Sequence, residues 1–246
     1  MQSALIRGSG IEQFPEGKRE KLDPFIKIAI DGPTASGKTT IGTLLGERFG
    51  MRNTAGGVLY CAAGLLLKQV GLNAPIDEIE AAFNETPIDF DISKPGTPLV
   101  SIGGEDISDE LASSEAKLLA SRVSRNPLIV SGVEVIYHAL ATEGNIALEG
   151  KVVGTRLMPD ADVKIFLTAD PQVRAWRRWQ QLLADGEDKT FAEVLHETLL
   201  RDKRDLSNPV APLRPAPDAV RIDTTRQSIE ETYALVENLI LNQNPN

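Results

Sequence analysis

The residues with the clearest chemistry lie in the run Gly32-Pro33-Thr34-Ala35-Ser36-Gly37-Lys38-Thr39, followed by Thr40. The pattern G-x-x-x-x-G-K-[ST] puts glycines where successive backbone N–H groups must face phosphate oxygens, and a helix opening directly after it adds a favourable dipole. In such a loop Lys38 would reach the β- and γ-phosphates of a nucleoside triphosphate, and the Thr39 hydroxyl would ligate Mg²⁺. A glycine turn that only caps a buried helix is the other reading. The flanks favour the phosphate loop: Phe25 to Ile30 is a β-type run ending at Asp31-Gly32, and Thr39 to Phe49 has helical spacing, with Leu44, Leu45 and Phe49 on one side.

A phosphate loop fixes a triphosphate, not a reaction, since kinases, GTPases and ATPase motors share it. A chain of 246 residues is small for a motor, and it has no Asn-Lys-x-Asp element of the kind that reads guanine. A small-molecule kinase needs arginines on a mobile segment that close over the transferring phosphoryl group and keep water out. Arg174, Arg177 and Arg178 have the spacing of one helical face, and Arg201 and Arg204 follow beyond a loop at 184–188. A solvated charged face is the alternative for such a run.

The elements that must position these groups alternate. Short buried-strand runs recur at 145–148, 163–167 and 219–223 with helical stretches between them, which implies a parallel sheet covered on both faces. Residues 86–111 break the alternation with prolines and glycines around short β-type pieces, as a small antiparallel insertion would. Residues 1–24 lack periodicity and read as a loosely attached N-terminal extension. Apolar residues at 41% and charged residues at 25% describe a globular protein, and the net charge of −9 leaves no basic field for a nucleic-acid polymer. Cys61 alone allows no intramolecular disulfide, and with only two histidines, His138 and His196, little remains for a structural zinc site. Apolar runs are too short to cross a bilayer. A cytoplasmic monomer without membrane or nucleic-acid partners is expected. Trp176 and Trp179, three residues apart, read as packing.

The text from Ile28 to Thr40 resembles that of bacterial cytidylate kinases, members of the P-loop nucleoside monophosphate kinases. Further blocks agree in order: Asn53-Thr54 with Tyr60, the Gly103-to-Asp109 insert, Pro159 to Ala169, Arg201 to Asp205, and Ala211 to Ala219. The resemblance implies an α/β P-loop kinase fold: a parallel β-sheet core flanked by helices in residues 25–246, a small NMP-binding insertion near 60–120, and a short helical lid near 172–204. It implies phosphoryl transfer from ATP, with Mg²⁺, to CMP or dCMP. By the same resemblance, residues Gly32 to Thr40 take the donor phosphates, Arg174, Arg177 and Arg178 are lid groups, and Arg201 and Asp205 line the closed site. Glu149 stands where the family has an aspartate at a strand end, placed to hold Mg²⁺-bound water.

Departures concentrate on the acceptor side. Cys61 stands where the family has an arginine after Tyr60, Lys151-Val152 replace an Arg-Asp pair, and Val130 and Asn208 replace two further arginines. Each directed arginine–phosphate contact is worth roughly 1.5–3 kcal/mol, so Thr54 and Tyr60 would need help from Lys117, Lys151 and Arg156 as replacement positive charge. Three readings follow: a kinase still acting on CMP or dCMP, a kinase of another nucleotide or small phosphorylated acceptor, and an ATP-binding partner protein with little turnover.

Overall fold

The computed structural model describes residues 25–92 and 98–243; the expected N-terminal extension lies outside them. Five strands form one parallel sheet in the order β2-β6-β1-β7-β8: β1 (Lys27–Asp31), β2 (Arg52–Ala55), β6 (Ile146–Gly150), β7 (Val163–Thr168) and β8 (Val220–Asp223). Parallel neighbours require crossovers, and helices supply them. They are α1 (Lys38–Phe49), α2 (Val58–Val70), α3 (Ile76–Glu85), α4 (Ser114–Val123), α5 (Pro127–Ala141), α6 (Pro171–Ala184), α7 (Phe191–Leu206) and α8 (Ile229–Gln243).

The two-residue period of a strand divides the core between two faces. Ile28 and Ile30 of β1 join Ile41 and Leu45 of α1 and Val236 and Ile240 of α8. Ala29, between them, faces the other way with Ile146 and Leu148, towards Leu59 and Leu67 of α2 and Val130 and Tyr137 of α5. α1 begins at Lys38, one residue ahead of the expected start, and Leu44 is only half-buried against its cluster. Four residues of unremarkable pattern, Arg-Asn-Thr-Ala, make β2; their strand character comes from pairing with β6.

The antiparallel piece expected at 86–111 is a three-stranded sheet of β3 (Ile88–Asp91), β4 (Leu99–Ile102) and β5 (Glu105–Asp106). It rests on a separate cluster of Cys61, Ala62, Val100, Ile107, Leu111 and Ala116. Helix α2 is therefore apolar on two sides: Leu59, Tyr60, Ala63 and Leu67 belong to the main core, and Cys61 and Ala62 to this second one. Gly64 admits α4 at close range, since a Cβ there would lie 2.6 Å from that of Leu119. Past β6, Val153–Leu157 closes a single π-helical turn, with the Met158 N–H donating to the Val153 carbonyl at 2.7 Å. No helix among the described residues is long and apolar enough to cross a membrane.

Candidate active site

β1 lies between β6 and β7, so the loop leaving its carboxyl end opens at the middle of the sheet, where open α/β sheets bind ligands. The loop is tightly built. Gly32 has φ 151°, and a Cβ there would lie 2.0 Å from the Leu167 carbonyl oxygen. Gly37, at φ 102°, caps α1, and Ala35, at φ 59°, is the one non-glycine residue of positive φ among the described residues. Backbone strain of this kind, of order 1–3 kcal/mol, is held in place by the surrounding structure and clusters at ligand clamps. The Ser36 hydroxyl is buried and finds no partner among the described residues.

Lys38 Nζ donates to the Pro33 carbonyl at 2.7 Å, so its ammonium lies over the loop. Burial pushes its pKa down to about 8, against the opposing pull of Glu149; Lys151 and Arg201 press the same way as burial. The Thr39 hydroxyl donates to Glu149 Oε1 at 2.7 Å, which brings the two expected metal-side oxygens together, while Thr40 is exposed on the first turn of α1. One hydroxyl and one carboxylate at the mouth of a phosphate loop suit Mg²⁺, a hard ion that keeps several waters and takes its other oxygens from phosphates.

The lid arginines divide. Arg174 is 3% exposed: it donates to the carbonyls of Ala169 (2.9 Å) and Thr34 (3.3 Å) and forks onto Asp202 of α7 at 3.0 and 2.6 Å. Arg177 donates to the hydroxyl and carbonyl of Thr224 at 2.9 and 2.6 Å, and that hydroxyl lies 3.2 Å from the Ser36 carbonyl. These two, expected beside Arg178 on one closing face, are fastened here to the phosphate loop, α7 and the segment after β8. Arg178 instead shares its surroundings with Lys117 and Arg201: burial lowers the pKa of Lys117, with Arg178 and Arg201 pushing it further, and burial likewise lowers that of Arg201.

Arg201 lowers the pKa of Lys38, Lys117 and Lys151, and Arg178 that of Lys117 and Arg201, in each case after burial, so these cations share one region. Such crowding is stable where polyanionic phosphates belong. Lys151 Nζ donates to Asp205 Oδ1 at 2.6 Å, and Asp205 Oδ2 is buried with no partner among the described residues. Arg156, expected to supply acceptor charge, is engaged elsewhere: Nε donates to Glu134 of α5 at 2.5 Å and a terminal nitrogen to the Val210 carbonyl at 3.2 Å. Thr54 and Tyr60 are buried, and neither hydroxyl finds a partner among the described residues. Burial pushes the Tyr60 hydroxyl up to about 12, with Glu134 adding to the shift. Beside Thr224, an open cleft of about 690 Å³ runs between the β7–α6 and β8–α8 loops, lined by Asp170, Asp223, Arg226 and Gln227 among others.

Sequence reasoning missed Glu134, Asp202 and Thr224, the partners that hold the charged groups in place, and Asp31, which holds the backbone amides of Val153 and Gly154. Asp31 carried a signal: a carboxylate closing a buried strand must find donors.

Residues 28–242 match the family model for cytidylate kinase. A cytidylate kinase of Thermotoga neapolitana is 38% identical over 216 residues, covering 87% of this chain and 96% of that protein. Cytidylate kinases of Fervidobacterium nodosum and Aquifex aeolicus are 36% and 35% identical, with 87% of this chain covered in each case. With residues 28–242 matching the family model and relatives 35–38% identical over most of both chains, the chain belongs to the cytidylate kinase family and is a nucleoside monophosphate kinase.

Proposed function

We propose that the protein transfers the γ-phosphoryl group of Mg-ATP to CMP or dCMP, giving ADP and CDP or dCDP. One observation carries the reading: the Lys38 ammonium over the phosphate loop faces the same crowded region as Lys117, Lys151, Arg178 and Arg201. A phosphate oxygen of the acceptor attacks the γ-phosphorus in line, the bond to the β,γ-bridging oxygen breaks, and ADP leaves with that electron pair. Lys38, Arg178 and Arg201 neutralise the equatorial oxygens, and no protein nucleophile takes part. Thr39 and Glu149 would hold Mg²⁺, which would supply charge neutralisation to the phosphates. In this reading the helical pair α6–α7 is the lid, the region around α2, α4 and the antiparallel sheet is the acceptor-binding insertion, and the cleft beside Arg226 takes the donor base.

A second reading keeps the transfer and changes the acceptor to another nucleotide or small phosphorylated molecule. The engagement of Lys151 by Asp205 and of Arg156 by Glu134 favours it. An ADP-release assay with Mg-ATP against CMP, dCMP, UMP, AMP, GMP, dTMP and buffer alone separates the two. Turnover on CMP or dCMP well above the other acceptors supports the first, preference for another acceptor the second, and silence with all of them overturns both.

A further inference from the structure

Asp31 ends β1 immediately before the phosphate loop, is 3% exposed, and has no cation within ion-pair distance among the described residues. Its two carboxylate oxygens are nonetheless fully directed: Oδ1 accepts the N–H of Val153 at 2.8 Å and Oδ2 that of Gly154 at 2.7 Å. Those amides open the π-helical turn after β6, 122 and 123 residues further along the chain. The same junction is closed a second time by the Gly32 N–H, which donates to the Gly150 carbonyl at 3.2 Å. Space is tight on the strand side, where a Cβ at Gly150 would stand 2.8 Å from Val153 Cγ2, and Gly154 lies in ordinary contact range of Asp31 Oδ2. The clamped turn lies between Lys151, paired with Asp205, and Arg156, paired with Glu134.

A buried carboxylate costs several kcal/mol unless its lone pairs are met, and here backbone amides of a single turn meet them. One residue therefore joins the donor loop to the segment that presents acceptor-side charge. We propose that Asp31 is a positioning residue for the acceptor: by gripping the Val153 and Gly154 amides it fixes Lys151 opposite Asp205 at the distance the incoming phosphate requires. The inference rests on the reading of Lys151 and Asp205 as acceptor-side groups. It assigns Asp31 no contact with either substrate.

The test is steady-state kinetics of Asp31→Asn with CMP and ATP each varied. An asparagine offers one oxygen to the two amides and turns an NH2 group against the other, so the turn shifts while the loop keeps its sequence. Displacements of about 1 Å near reacting groups cost on the order of a hundredfold, so KM for the acceptor is expected to rise at least about tenfold. KM for ATP and the affinity for Mg-ATP without acceptor should stay within about twofold. Equal changes in both KM values, a fall in kcat alone, or wild-type values for the acceptor would each overturn the proposal. If Asp31→Asn does not fold, Gly150→Ala keeps the carboxylate but drives a methyl to 2.8 Å from Val153 Cγ2 and so displaces the turn, and it must then raise the acceptor KM alone; an unchanged acceptor KM in that variant overturns the proposal equally. A wild-type protein inactive on every nucleoside monophosphate would fail the functional reading itself, whereas an active wild type with an unselective Asp31→Asn fails only this inference.

Discussion

Arg174 and Asp202 form a two-pronged ion pair, 3.0 and 2.6 Å, between the two helices of the α6–α7 hairpin. Because Arg174 also donates to the Thr34 carbonyl, the pair ties the hairpin to the phosphate loop. Arg178 lies one turn beyond Arg174, and Arg201 is next to Asp202, so the clasp sets the distance between two groups assigned to the transferring phosphoryl.

Removing one partner of a buried pair strands the other. Asp202→Ala should cost about 3 kcal/mol, lowering the melting temperature by roughly 6–12 °C for a chain of this size. Thermal unfolding followed by circular dichroism measures it; a shift below about 2 °C would show that the pair is solvated rather than structural.

Lys38→Ala should lower kcat at least about a hundredfold, the loss that follows when a group neutralising transition-state charge is removed, with the melting temperature nearly unchanged. A variant retaining most of its turnover would remove Lys38 from the mechanism.

Glu149→Gln keeps the shape of the side chain that accepts the Thr39 hydroxyl and loses its charge. The Mg²⁺ concentration for half-maximal activity should rise about tenfold or more, with activity partly recovered at high Mg²⁺. An unchanged Mg²⁺ titration would exclude Glu149 from the metal's surroundings.

Burial raises the Asp31 pKa from 3.8 to about 6, although the Gly154 and Val153 amides and Lys38 pull it down. The folded protein thus holds this proton more tightly than the unfolded chain does. The contribution to stability is fully present below about pH 4 and is lost as pH rises to about 6, by up to about 3 kcal/mol. Urea unfolding of wild type and Asp31→Asn between pH 4 and 7 isolates the term: the wild type's stability relative to the variant should fall across that window, and a constant difference would contradict the shift.

The donor side was legible in the sequence because its geometry is local. Gly32 to Thr39 are contiguous, and the strand and helix that flank them announce themselves by period. The surroundings of the groups expected on the acceptor side and in the lid were not, because those groups are fixed by partners far along the chain: Lys151 by Asp205, Arg156 by Glu134, Arg177 by Thr224. Helical spacing puts Arg174, Arg177 and Arg178 on one helix, but spacing carries no information on what faces them; Asp202 and Thr224 take two of the three. β2 escaped notice for a related reason, as its four residues become a strand only beside β6.

Helix α2, apolar towards both clusters, carries a single charged side chain, Lys68, in its thirteen residues. While the antiparallel sheet is in place that segment is sealed on both sides. Were the sheet to peel away, the side of α2 bearing Val58, Cys61, Ala62 and Leu65 would meet solvent as an apolar, uncharged strip, the kind of surface through which molecules adhere to one another. Loss of activity on heating should then depend on protein concentration and set in ahead of the melting of the five-stranded core.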